Sequence, residues 1–518
     1  MDPASSAPDL HVRSRYAVVS VCVAMAVVGI NTTAIGVATR GIADELHASL
    51  TALEWIMGAY LVTAAAFALV GGRLGDVVGR SRTLLTGITV MIGGSVVAAL
   101  APGTGVLIAG RAIQGEGAAL ILPASIEVIA AHPTRSGPST GFRARGVLYA
   151  TGFGIGPLVG GLLTDTVSWR AVFWIEVVGL VAAAVLAVPL LRASTRLPRS
   201  PTRDFLGAGL ASVVVFLVVF GASRARVWGW VSGPMAALVL AVVVLGAWLV
   251  RVESRTEHPL LHGGFLHDRG VIGANLATLG ASIGMVGLVY FYGLFAQSAL
   301  VFDSTALAVA LGLLPFTLSI VAFATVASFL ARRLGGAGPV IVGLGLTTAG
   351  FAWLSLATVG TTERGLVVPL ILCGIGAGVA NAGLTSTAVM TDRRRVDEGA
   401  GLLSLTRCLG SALAVAIGTS TYLAVVGRRG SSGVPAGPGE TVGIGGEAYT
   451  RAVASLQADL RRSFEVATHA STVEAFASTM RWAAIAVGVL TVASAVFLTT
   501  DPRARSRHRH EAARPGAD

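Results

Sequence analysis

Apolar and polar residues along the 518-residue chain are segregated into long blocks rather than alternating at short intervals. Runs of roughly 20 apolar residues, the length of helix that crosses hydrocarbon, recur with short charged or Gly/Pro-containing links between them. Fourteen such runs stand out: 16 to 36, 53 to 72, 83 to 101, 105 to 130, 146 to 163, 171 to 191, 205 to 221, 233 to 250, 271 to 294, 305 to 330, 338 to 358, 366 to 390, 399 to 426 and 480 to 499. With 54% hydrophobic and 13% charged residues and a mean hydropathy of +0.76, the chain is too apolar for a soluble protein of this length. The expected fold class is an all-α polytopic membrane protein. Arg13 and Arg15 precede the first run, but no A-x-A cleavage site follows it, and it outlasts a signal-peptide core, so it is expected to be retained.

Charge then orients the runs. All 38 basic residues are arginine, and 25 fall on segments of one side if the N-terminus is cytoplasmic. Five fall on short opposite segments (40, 170, 224, 226, 364), five in the long loop 427–479, and Arg111, Arg407 and Arg481 in or at the membrane. Cytoplasmic loops gather arginine, so both termini are expected in the cytoplasm and the chain in the cell inner (cytoplasmic) membrane. Topology and the anionic surface of the lipid bilayer thus account for the net charge of +11, and no nucleic acid partner is expected.

The runs divide as six, two and six. Expected boundaries are a cytoplasmic N-terminus 1–15, a first six-helix bundle 16–191, a linker 192–270 with two additional helices, a second bundle 271–499 and a basic tail 500–518. Loop 427–479 opens on the flexible GRRGSSGVPAGPGETVGIGG and turns helix-like after it, as an external cap on the surface would. GRLGDVVGR, after the second run, is echoed by SFLARRLGG after the tenth, where Arg332 takes the place of Asp76. A two-half repeat of this kind puts a cargo site near mid-membrane between the halves.

Several classes of chemistry are excluded. Cys22, Cys373 and Cys408 are scattered through expected spans and make neither a disulfide framework nor a metal site. No GxxxxGK[ST] or HExxH is present, so no ATP-driven pump, enzyme, metal or cofactor is expected, and the chain is expected to act as a monomer driven by an ion gradient.

The charged island carries the most specific pattern. Asp76 can accept from N–H groups at a helix start and pair with arginines opposite, while Gly72 and Gly79 permit a tight reversal, so that with Arg80 the cluster can latch one conformation and release another. Gly72, Leu74, Asp76, Gly79 and Arg80 match a loop pattern, Gly-x-Leu-x-Asp-x-x-Gly-Arg, of the major facilitator superfamily, which the chain resembles. LIAGRAIQGEGAALILPAS (107–125), with Arg111, Gln114, Gly115 and Pro123, resembles the fourth-helix motif of drug:proton antiporters. GFGIGPLVGG resembles the fifth-helix antiporter motif at Gly152, Gly156, Pro157, Gly160 and Gly161, and SWRAVFWIEV (168–177) resembles a Ser-Trp-Arg-x-x-Phe-x-Ile-Asn segment of that branch. With fourteen runs, the resemblance is to the fourteen-helix drug:proton antiporter branch. It implies a major facilitator fold of two six-helix bundles plus two extra central helices. It also implies proton-coupled export of hydrophobic or cationic drugs or antibiotics, with a small drug-like molecule and protons as partners. Uptake by symport or facilitated diffusion, or a non-transporting membrane sensor, stays open beside it.

Where acids and arginines lie in the membrane, partners are required. Arg111 is too costly there to face lipid and needs one. The resemblance implies an Asp in the first helix as the proton site near that arginine, but this chain has Asn31, which cannot titrate. Two acids are available instead. Glu176 replaces the usual Asn in the sixth run at a depth like that of Arg111, and is the expected ion-pair partner. Glu116 stands near mid-membrane about 140° around the helix from Arg111, and is read as the proton or cation-substrate site, a structural carboxylate or a substrate contact only. Either acid can switch protonation as cargo arrives or Arg111 moves. Gln114 and Asn381 are candidate polar cavity contacts, and Arg407 lines the cytoplasmic part of the cavity or packs at an interface. Glu54 and Glu127, near run ends, are expected to be solvated and structural.

Overall fold

The computed structural model describes residues 7–131, 138–191, 205–229, 231–256, 268–298, 301–324, 326, 330, 333, 337–390, 396–430 and 458–500. Sixteen helices and no strand are found among them. They are α1 (Ala7–Val37), α2 (Thr39–Leu46), α3 (Leu50–Val78), α4 (Arg80–Ala99), α5 (Thr104–Ala131), α6 (Pro138–Thr166), α7 (Arg170–Leu191) and α8 (Phe205–Trp228). There follow α9 (Gly233–Glu253), α10 (Arg269–Ala296), α11 (Ala306–Gly312), α12 (Leu314–Ala324), α13 (Gly338–Leu354), α14 (Glu363–Met390), α15 (Val396–Gly430) and α16 (Ala458–Thr499).

Twelve of these helices are long and apolar enough to cross a membrane; α11 and α12, bent by 44° at their junction, make a thirteenth span if they form one broken helix. The 17-residue apolar α13 falls on the expected run 338 to 358. The medium is written on α9, whose Val239, Leu240, Val243, Val244 and Trp248 are exposed while Met235 alone is buried in it. A helix apolar all round with no protein cover belongs in lipid. Central α10 is the opposite case, buried along almost its whole length.

Local chemistry sets several ends. Ser49 caps α3 by accepting from the Ala52 N–H at 3.2 Å, and Gly79, with φ of +103°, turns the chain between α3 and α4 in a conformation that side chains with a Cβ resist. Close helix approach follows the glycines. A Cβ on Gly152, Gly156 or Gly160 would run into α1 at Ala26, Thr33 and Ala34, so α6 lies backbone to backbone on α1. Pro157 is buried inside α6. Gly161 faces the other way and meets Ala306 at the start of α11.

Helices α1 and α3 to α7 pack on one another, as do α10 to α16, and the seams between them run α3 on α15, α1 on α10 and α6 on α11 and α12. Helix α8 rests on α3 and α15, where Ser212 donates to the Ala66 carbonyl, and α9 rests on α8.

At the end of the bundle where α1 stops, the seam is stitched shut by polar contacts. Gln297, buried after α10, donates to the Val37 carbonyl and accepts from Thr39 Oγ1 at 2.9 Å and the Arg40 N–H at 3.1 Å. Asp165 on α6 accepts from the Ala306 and Leu307 N–H groups at 3.2 and 2.8 Å, capping α11, and Arg40 pairs with Asp303 at 2.6 Å. The Ser-Trp-Arg segment braces the same end: Trp169 Nε1 donates to Glu45 at 2.6 Å, Arg170 pairs with Glu45 and donates to the Ala101 carbonyl at 2.8 Å.

Three sequence expectations are corrected. The helix-like stretch of loop 427–479 does not lie apart as a cap: from Ala458 it is the first half of α16 and runs on into the last span, and its Phe476 is buried and stacked on Phe295 with ring centres 4.2 Å apart. Residues 431–457 lie outside the described residues. Glu127 and Glu54 are buried rather than solvated, because neighbouring helices cover these helix ends, Glu127 lying against Gly75 of α3 and Arg80 of α4.

Candidate functional site

Five polar side chains meet in the apolar interior of the bundle formed by α1 and α3 to α7. Asn31 comes from α1, Ser95 from α4, Arg111 and Gln114 from α5 and Glu176 from α7, and all five are fully or almost fully buried. Arg111 and Gln114, three residues apart, share one face of α5. Arg111 Nη1 donates to Asn31 Oδ1 and to Gln114 Oε1, each at 2.8 Å, and its Nε donates to the Ile56 carbonyl at 3.0 Å. Its guanidinium carbon stands 4.6 Å from the Tyr60 ring centre.

Glu176 completes the set from the other side. Its Oε2 accepts from Asn31 Nδ2 at 2.8 Å and Gln114 Nε2 at 2.9 Å, with Ser95 Oγ at 3.4 Å. Gln114 Nε2 also donates to Ser95 Oγ at 2.7 Å. The expected pairing of Arg111 with Glu176 is therefore realised through two amides, with no direct ion pair. Arginine only donates and an ionised carboxylate only accepts, so both amides must turn oxygen to Arg111 and nitrogen to Glu176. Two atoms keep spare capacity: Arg111 Nη2 and Glu176 Oε1 are buried with no hydrogen-bond partner. Every donor to Glu176 approaches Oε2, so Oε1 is where a proton can sit.

The other sequence candidates are elsewhere. Glu116 does not join the network. Its neighbours Gly115 and Gly117 face α3 and α4, and Glu116 projects from the opposite side of α5, half-buried, its carboxylate making no hydrogen bond or ion pair among the described residues. Asn381 donates to the Ala377 carbonyl at 3.0 Å and approaches Met285 Sδ, away from the network. Arg407 is half-buried on α15 with its guanidinium carbon 5.1 Å from the Tyr149 ring centre, a contact across the seam between α6 and α15.

Of the island, Gly72 has open space around it, Gly79 makes the turn, and the Asp76 side chain lies outside the described residues. Arg80 Nε stands 3.7 Å from Glu127 Oε2, and that carboxylate lies where a Cβ on Gly75 would be. The island's arginine thus grips a buried acid of α5 that the sequence reading had left to solvent. Ser95, Tyr60, Gln297 and Asp165 are not marked by the sequence: Ser95 and Tyr60 sit in apolar runs, Gln297 and Asp165 fall just past run ends, and their partners lie far away in the chain.

The sequence pattern of the Major Facilitator Superfamily matches residues 21–415. The chain belongs to that superfamily. It is similar to the cephamycin export protein CmcT of Amycolatopsis lactamdurans, at 31% identity over 81% of this chain and 86% of that protein. It is also similar to the methylenomycin A resistance protein of Streptomyces coelicolor, at 27% identity over 75% and 81% of the two chains. A crystal structure of a POT family transporter in complex with thioalcohol conjugated peptide shares the fold, with a TM-score of 0.62 and 16% identity over 93% of this chain and 96% of that one. The superfamily makes this a multi-pass membrane transporter and not an enzyme.

Proposed function

We propose that this transporter exports small drug-like molecules, antibiotics among them, across the cytoplasmic membrane in exchange for protons, with both termini in the cytoplasm. Export and resistance are the functions named for its relatives. Two six-helix halves with a helix pair between them rock about the central seam, and the end sealed by Gln297, Asp165 and Arg40 is the external one.

One observation carries the coupling. The Asp that the family resemblance implies in the first helix is Asn31 here, and the Asn it implies in the sixth span is Glu176; the two side chains touch at 2.8 Å. The acid has changed helices without leaving the site. Arg111 keeps a carboxylate within reach through the Asn31 and Gln114 amides, and Glu176 Oε1 is free to take a proton. Protonation removes the charge that balances Arg111, and the excess cation then favours a different packing of α1, α5 and α7. Cargo release and proton uptake are linked through that shift.

Cells expressing the chain should exclude amphipathic dyes and tolerate higher antibiotic doses, and a protonophore should abolish both effects. Raised dye content on expression would instead indicate uptake.

A further inference from the structure

Arg145 and Arg407, one from each half, converge on the opposite end of the seam from the Gln297 stitches. Arg145, the eighth residue of α6, is half-buried, with Nε donating to Ser125 Oγ at 2.7 Å and Nη2 to the Leu122 carbonyl at 3.3 Å. A guanidinium has five N–H donors, so most of the Arg145 fork remains unbonded. The Arg407 guanidinium makes no hydrogen bond or ion pair among the described residues; it lies over the Tyr149 ring. Tyr149 is one turn along α6 from Arg145, on the same face, and the two arginines are within electrostatic reach of each other.

Among the described residues no carboxylate answers this pair. Glu127, on the same stretch of α5 as Ser125, is turned to Arg80 and Gly75. Arg111 is matched by Glu176 through the amides, whereas Arg145 and Arg407 bring two like charges together at this end of the seam with no acid among the described residues to offset them. Such an arrangement is costly unless something anionic visits it. The planar fork of arginine fits carboxylates and other oxyanions in paired hydrogen bonds, and the Tyr149 ring offers an apolar face for the body of an amphipathic molecule.

We propose that Arg145 and Arg407 clamp an oxyanion, a carboxylate in the first instance, carried by the exported molecule. The clamp spans the seam, so a bound anion ties the halves together at that end and biases the conformational equilibrium as it enters or leaves. This inference rests on the export reading for its cargo, and it replaces a cationic cargo with an anionic or zwitterionic one.

Rhodamine 110, with a free carboxylate, and rhodamine 123, its methyl ester, isolate that group. Binding is read by fluorescence polarisation on the full-length protein in phosphatidylcholine nanodiscs, and movement by pH-gradient-driven accumulation in proteoliposomes. The carboxylate dye should bind about tenfold or more tightly than the ester, the worth of a charge-assisted hydrogen bond. Arg145→Gln and Arg407→Gln should each erase that preference without weakening the ester, and Arg407→Lys should keep part of it. Equal binding of the two dyes, or equal loss of both in the Gln variants, overturns the clamp. Loss of the preference when phosphatidylglycerol is added assigns the arginines to lipid headgroups and also overturns it. Preferential binding without gradient-driven movement leaves the clamp standing and overturns the export reading instead.

Discussion

Asn31 stands between Arg111 and Glu176, 2.8 Å from each, with its carbonyl oxygen toward the cation and its amide nitrogen toward the acid. An amide can serve both at once, whereas an aspartate there would bring a second carboxylate against Glu176. Asn31→Leu leaves two buried groups short of a partner, at about 1–3 kcal/mol each, and should lower the unfolding temperature in detergent. Asn31→Asp alone should impair gradient-driven transport through like-charge contact. Asn31→Asp combined with Glu176→Asn returns the acid to α1 and should recover transport beyond either single variant, a coupling that a double-mutant cycle measures directly.

The contact of α6 with α1 depends on glycine. At Gly152 a methyl group would overlap the Ala26 carbonyl, and backbone cannot retreat as a side-chain tip can. Gly152→Ala should therefore cost about 1–3 kcal/mol by overpacking, read as a lower unfolding temperature, while Gly72→Ala, with open space around it, should be nearly neutral.

The polar stitches at the Val37 end hold a conformation. Asp165→Ala removes the acceptor for two N–H groups of α11, and Gln297→Ala removes the bridge to Val37, Thr39 and Arg40. A cysteine introduced by Ala310→Cys, buried in the parent, should react faster with a membrane-impermeant maleimide in either background. An unchanged labelling rate would mean that these contacts do not hold the end closed.

Glu116 offers a discriminating control. It lies on the face of α5 away from Arg111, outside the network. Glu116→Gln should leave pH-driven movement within about twofold of the parent, the scatter of a substitution away from coupled groups. A loss as large as that of Glu176→Gln would move the proton site to Glu116.

Much of this fold is legible in the sequence because hydrophobic length alone marks a span, and because glycine spacing in 152–161 marks the helix face that a neighbour can approach. The presence of Glu176 near Arg111 is legible too, since a buried charge must be answered. What the chain does not announce is which neutral groups mediate the answer. Asn31 and Glu176 are joined across 145 positions, and an asparagine in an apolar run looks the same whether it bridges or packs. Span ends mislead for a related reason: a residue near the end of an apolar run is exposed only if no other helix covers it, and α3 covers Glu127 while α5 covers part of Arg145.

The central claim is that the proton is carried on Glu176, and Glu176→Gln tests it with little change of shape. Parent and variant are reconstituted side by side, and dye accumulation is followed after an imposed pH gradient and, separately, without one. The account predicts that the variant still binds dye and equilibrates it while the gradient no longer drives accumulation. Gradient-driven accumulation by Glu176→Gln at the parent's rate would contradict it.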